Sequence, residues 1–217
     1  MKNLIFIEGV SGVGKTTMAR NVFNKLRDMG FAVECFLEPD FKNPIDFHKT
    51  AYFKQDEYVN LLLTFNDFRK DIEYYTTIAD DVRLVSYYND KTPLFAEPLL
   101  SVFIEHEFCY HPVNPVSLSE YTRVYKIIWE NFARNVNTSL DYIIFDCSLI
   151  SHPINDLIRN YNVSQNQAIY HVNTLIETIK SLNPRIVYLS SDNVAERLCD
   201  ARISRNQKPP TKKQIDF

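Results

Sequence analysis

The run Leu4-Ile5-Phe6-Ile7-Glu8-Gly9-Val10-Ser11-Gly12-Val13-Gly14-Lys15-Thr16-Thr17 constrains the chain more than any other stretch. Four apolar residues, Leu4 to Ile7, lead into Gly9-x-x-x-x-Gly14-Lys15-Thr16, and a helical pattern begins at once. Strand, glycine turn and helix form the context in which this spacing makes a phosphate-binding loop. Glycines let the backbone wrap closely enough for successive N–H groups to converge on a phosphate. The helix adds the partial positive charge of its N-terminus. Lys15 is then placed to reach the β- and γ-phosphates, and the Thr16 hydroxyl to hold a magnesium ion. Gly9, Ser11, Gly12, Val13, Gly14, Lys15, Thr16 and Thr17 make up the expected nucleotide cradle. The chain has only four glycines, and three of them lie in this loop, so the spacing is no by-product of a glycine-rich composition.

After the loop, Met18, Val22, Leu26 and Met29 recur at helical spacing, with Gly30 where a C-cap belongs. Phe31 to Leu37 reads as a second buried strand. Strand, helix and strand make a βαβ unit, whose crossover is right-handed and pairs its strands in parallel. Further on, Ser117-x-x-Glu120 is a capping box, and Tyr121, Val124, Tyr125, Ile128, Trp129 and Phe132 mark a long helix behind it. Asp141 to Phe145 is a third strand, closed by Asp146, Cys147 and Ser148. Pro153 opens a short helix, Ser164-x-x-Gln167 opens another, Arg185 to Leu189 is a fourth strand, and Asp192 caps a final helix. Strands alternating with helices predict an α/β fold, here a three-layer α/β/α arrangement around a mostly parallel sheet, as in P-loop NTPases. Residues 1–217 read as a single domain, and 40–135 as a helical insertion between the second and third strands. Within the insertion, Tyr58, Leu61, Leu62, Phe65 and Phe68 form a helical stripe, while Arg83 to Tyr88 fits strand or helix equally well. Its many Phe and Tyr residues read as core, with one or two stacked on a ring-shaped substrate as the sharper alternative.

A net charge of −3 argues against nucleic acid or a membrane surface as the main partner. No apolar run approaches membrane-spanning length. Cys35, Cys109, Cys147 and Cys199 are scattered without a C-x-x-C pair and read as buried reduced thiols. Met1-Lys2-Asn3-Leu4 enters the first strand directly, without the pattern of a secretory leader, so a cytoplasmic location is expected. His48, His106, His111, His152 and His171 show no metal-binding spacing.

Three places carry acids or bases where a phosphoryl-transfer site needs them. Glu38 ends the second strand, at the sheet edge where α/β proteins bind ligands. There it would accept a proton from an attacking hydroxyl or hold that hydroxyl in line; a solvated strand end is the plainer alternative. Asp146 ends an apolar strand and is placed to contact magnesium, with Ser148 as a helper and Cys147 as packing. The last helix carries Arg197, Arg202 and Arg205. Arginines there can neutralise transition-state charge, or simply solvate the helix in weak pairs with Glu196 and Asp200.

Gly9-x-x-Gly12-x-Gly14-Lys15-Thr16-Thr17 resembles the phosphate loop of nucleoside and nucleotide kinases, especially the thymidylate-kinase-like branch. The resemblance extends to Glu38-Pro39 at the end of the second strand, where it implies a base for a sugar hydroxyl. It extends again to the arginine-bearing helix after Arg185-Ile186-Val187-Tyr188-Leu189, which resembles the lead-in to a mobile lid and makes 192–206 a lid-like helix. Phe41 through Tyr58, Asp146-Cys147-Ser148 and Leu182-Asn183-Pro184 are similar to bacterial kinase-like phosphate-loop proteins. Those kinases follow the third strand with Asp-Arg or Glu-Arg; this chain has Asp146-Cys147 instead, and no fifth strand is read after the last helix. The resemblance implies ATP and magnesium as cofactors and makes a homodimer a reading to test.

The expected activity is phosphoryl transfer from ATP to a small hydroxyl or phosphate acceptor, with 40–135 covering the acceptor side. Lys15, Glu38, Asp146, Arg197, Arg202 and Arg205 would be the catalytic residues, and Thr16 and Asp146 the metal ligands. The alternative is a nucleotide-dependent switch or regulatory ATPase acting on a protein partner.

Overall fold

A computed structural model describes residues 3–38, 40–89, 92–109, 116–204 and 208. In chain order, the elements begin with β1 (Asn3–Gly9), α1 (Lys15–Asp28) and β2 (Val33–Phe36). Then come β3 (Thr50–Lys54), α2 (Gln55–Thr64), α3 (Arg69–Tyr74), β4 (Thr76–Ala79), β5 (Val82–Ser86), β6 (Tyr88–Asn89), β7 (Thr92–Pro93), α4 (Leu99–Glu105) and α5 (Leu118–Asn135). The last are β8 (Tyr142–Asp146), α6 (Ser151–Tyr161), α7 (Gln165–Ile179), β9 (Pro184–Leu189) and α8 (Val194–Ile203). The single domain expected from the sequence resolves into two compact units, one built from residues 1–38 and 135–217 and the other from 39–134.

The first unit is α/β. Its four strands run in parallel in the order β2-β8-β1-β9, and helices flank the sheet. The expected βαβ crossover exists, but β1 and β2 are not neighbours, because β8 lies between them. The residues explain the placement. In β8, Ile143, Ile144 and Phe145 are all buried, so the strand is apolar on both faces and needs neighbours on both sides. β2 is four residues long and exposes Glu34, as an edge strand can.

Register and the two-residue period of a strand sort the side chains by face. Ile7 and Ile144 pack with Ala19 of α1, with Val22, Phe23 and Leu26 around them. The helical stripe expected on α1 is therefore displaced: Met18 and Met29 are exposed, and Ala19 takes the innermost position. The α1 C-terminus closes as expected. Gly30 N–H donates to Arg27 O at 2.9 Å and Phe31 N–H to Leu26 O at 3.2 Å, the paired bonds of a Schellman motif. On the opposite face Phe6 stacks on Phe145, with ring centroids 5.2 Å apart, and Phe145 on Phe36, at 5.4 Å. This aromatic row runs across β1, β8 and β2. At the far edge, among the described residues, β9 pairs only with β1, and its Ile186, Val187 and Tyr188 are exposed.

The second unit is not the helical insertion the sequence suggested. It holds an antiparallel sheet in the order β3-β5-β4 and a β6-β7 ribbon, together with α2 to α5. β4 and β5 meet through Asp80-Asp81, with Ala79 opposite Val82. Hairpin turns of this length are usually marked by glycine; here Asp80 adopts the left-handed conformation at φ 57° without one. The expected helical stripe holds only in part: Tyr58, Leu61 and Leu62 of α2 are buried with Phe53, Ile72 and Phe103, but α2 ends at Thr64, Phe65 is only partly buried and Phe68 is exposed. The residues that left Arg83–Tyr88 undecided form a strand, Val82–Ser86. No described helix is long and apolar enough to cross a membrane.

Candidate functional site

The glycine loop between β1 and α1 takes the backbone form its spacing demands. β1 ends at Gly9, whose φ is 141°; a Cβ there would lie 2.4 Å from the Leu189 carbonyl oxygen of β9, so no side chain fits. Gly14 is the N-cap of α1 in the left-handed conformation, φ 98° and ψ 20°, which costs glycine little and other residues more. Met18 N–H donates to Gly14 O at 3.0 Å, so the helix starts directly at the loop. Lys15 is buried, and its Nζ donates to Val10 O at 3.1 Å across the loop. Thr16 and Thr17 lie at the exposed rim, with Ser11 and Val13 half-buried between the glycines.

Asp146 stands beside the loop at the end of β8, opposite Ile7 in register. Its carboxylate is fully buried, and the Thr16 hydroxyl donates to its Oδ2 at 2.6 Å. Its other oxygen, Oδ1, is buried without a hydrogen bond. Burial raises the Asp146 pKa, as does the charge of Glu38, while the Thr16 hydroxyl and Lys15 oppose the rise. A hydroxyl and an incompletely paired carboxylate at this distance are two hard oxygen donors, the type that magnesium prefers. Thr16 and Asp146, distant in sequence, are thus brought together beside the loop.

One residue that positions the site was not singled out from the sequence. Glu8, immediately before Gly9, is fully buried. It accepts from the backbone N–H groups of Leu149 (2.8 Å), Ile150 (3.1 Å) and Ser151 (3.0 Å), and from the Ser151 hydroxyl (2.8 Å). A carboxylate thus satisfies donors that open α6, where the helix dipole also favours negative charge. The legible signal was an acid closing an apolar strand with no obvious solvent.

Glu38, past the end of β2, is half-buried, and its Oε1 lies 3.1 Å from His152 Nε2 in the first turn of α6. His152, set aside on spacing alone, therefore belongs to the neighbourhood of Glu38. Cys147 is buried, as expected for a packing residue, but its backbone is left-handed at φ 72°. Ser148 is buried, with its hydroxyl directed at the Asp146 carbonyl.

Asp192 does not cap the last helix; α8 starts after Asn193, without a side-chain cap. A Cβ on Gly12 would meet Ala201 Cβ at 3.3 Å and Arg197 O at 3.5 Å, so α8 runs close beside the loop. Arg197 is exposed, and its Nε donates to Ser191 Oγ at 2.6 Å. Arg202 is half-buried. Arg205 lies outside the described residues. Lys15, Thr16, Asp146 and Glu38 thus gather at one end of the α/β unit's sheet, with α8 alongside.

No family profile and no curated protein matches the chain. Among solved structures it is similar to a thymidylate kinase from Candida albicans, with a TM-score of 0.38 and 16% sequence identity, over 88% of this chain and 63% of that one. The chain therefore spans less than two thirds of that kinase, and a likeness of this degree assigns no activity.

Proposed function

We propose that the chain is a magnesium-dependent phosphotransferase, passing the γ-phosphoryl group of ATP to a small hydroxyl or phosphate acceptor. The observation that supports this most is the Thr16–Asp146 pair, 2.6 Å apart beside the loop, with Asp146 Oδ1 buried and without a hydrogen bond. Thr16 and Asp146 would hold magnesium, which would offset the negative charge of the phosphates. The loop backbone from Gly9 to Thr17 binds the phosphates, and Lys15 exchanges the Val10 carbonyl for phosphate oxygens. Glu38 takes the acceptor proton or orients its hydroxyl, with His152 steadying its carboxylate. Arg197 and Arg202 supply further positive charge to the transferring group.

The test is ATP consumption with magnesium, alone and against nucleosides, nucleoside monophosphates and aminoglycoside-like alcohols. Stimulation by one acceptor, with its phosphorylated form in the mass spectrum, supports the proposal. Slow consumption indifferent to every acceptor overturns it in favour of a switch ATPase.

A further inference from the structure

We propose that Glu38, Cys147 and His152 form a zinc-binding site, separate in chemistry from the magnesium pair of Thr16 and Asp146. One ligand atom from each residue lies within 4.8 Å of the other two. Tetrahedral zinc, with bonds of about 2.0–2.3 Å, sets its ligand atoms roughly 3.4–3.6 Å apart. The Glu38–His152 separation of 3.1 Å is already near that value, so small side-chain rotations close the set. A thiolate and an imidazole beside a carboxylate favour zinc over magnesium, which prefers oxygen alone.

The three ligands come together for a topological reason. Phe36 and Phe145 stack where β2 and β8 run side by side, and Glu38 and Cys147 each follow two residues later, just past the ends of those two strands. His152 arrives from the start of α6 and is tied back by its own N–H, which donates to Cys147 O at 3.2 Å. The intervening turn is held by Glu8 through Leu149, Ile150 and Ser151. The left-handed backbone of Cys147 is a conformation that non-glycine residues adopt only when their surroundings fix it. Ligands fixed in this way by outer hydrogen bonds bind metal more tightly than mobile ones. Cys147 and His152 are buried while Glu38 is only half so. That leaves an entry path and a fourth position for water, the pattern of a three-ligand site. Binding converts the Cys147 thiol to thiolate and releases its proton to solvent. Occupancy also engages the Glu38 carboxylate, so zinc would inhibit any reaction that uses it.

The experiment is a titration of the metal-stripped chain with zinc against a chromophoric chelator, without nucleotide, repeated with cobalt(II) to read thiolate-to-metal charge transfer. One zinc per chain is expected, with a charge-transfer band for cobalt that Cys147→Ser removes. Cys147→Ser and His152→Gln should each weaken zinc by about 100-fold or more, since even outer partners of a metal ligand cost up to that. If either variant fails to fold, Glu38→Gln, at the half-exposed position, should weaken zinc by at least about tenfold on the same scale. Absence of the cobalt band, or zinc affinity unchanged in these variants, overturns the site. Because nucleotide is left out, either result leaves the kinase proposal to its own test.

Discussion

Lys15 and Glu38 are the two side chains on which the proposed chemistry can be tested singly. Lys15 contributes one described hydrogen bond to the fold, to Val10 O at 3.1 Å, so Lys15→Ala should leave the circular dichroism and the melting temperature nearly unchanged. Turnover should fall on the order of 100-fold or more, as when a positioned charge donor is removed; normal turnover in that variant would refute the phosphate-loop assignment. For Glu38→Gln the expected loss is about 100-fold in acceptor phosphorylation, the lower range for a general base, with ATP affinity held within about twofold. Equal losses in both, measured by titration and by rate, would make Glu38 a binding residue. The loop residues were legible because a phosphate cradle needs fixed spacings along one stretch of chain. The Glu38–His152 contact was not, because its partners are brought together by strands that are distant in sequence.

Whole elements carry the next group of consequences, and Glu8 is the clearest case. It joins β1 to the start of α6 through three backbone donors and one hydroxyl. Glu8→Ala strands those donors in a buried place, and unsatisfied partners of a charged group cost about 3 kcal/mol. Chemical denaturation should show that loss, and ATP affinity should fall with it if α6 shifts the sheet end. Element types in the first unit could be read from sequence because apolar strands and capped helices announce themselves; Ser164 and Gln167 form the expected capping box. Strand order could not, since nothing local says that β8 enters between β1 and β2. In the second unit the hairpin at Asp80-Asp81 lacked the glycine that marks such turns, and the antiparallel sheet was hidden with it.

At the scale of the molecule, one buried group in each unit, Glu107 and His171, ties stability to pH in opposite directions. Glu107, in the second unit, is pushed up to about 7 by burial, against the opposing hydrogen bond from Tyr87. A carboxyl raised above its unfolded value gives stability that is full below about 4.5 and is lost as pH rises through 7. His171, in α7 of the first unit, is lowered to about 4 by burial. Its contribution is full above 6.5 and is lost as pH falls towards 4. Each group limits its slope to about 1.4 kcal/mol per pH unit. Thermal melts from pH 4 to 8 should show Glu107→Gln flattening the decline on the alkaline side and His171→Phe the decline on the acid side. A profile unchanged in both variants would contradict these assignments. The division of the chain has a different consequence during synthesis. Residues 39–134 are contiguous, so the second unit has all of its strands once Arg134 has been made. β1 sits between β8 and β9 and has no sheet partner until Tyr142 follows it. The glycine loop and its strand therefore meet their sheet neighbours only after residues 142–146 and 184–189 have followed them, and until then the apolar strand is open to wrong pairings.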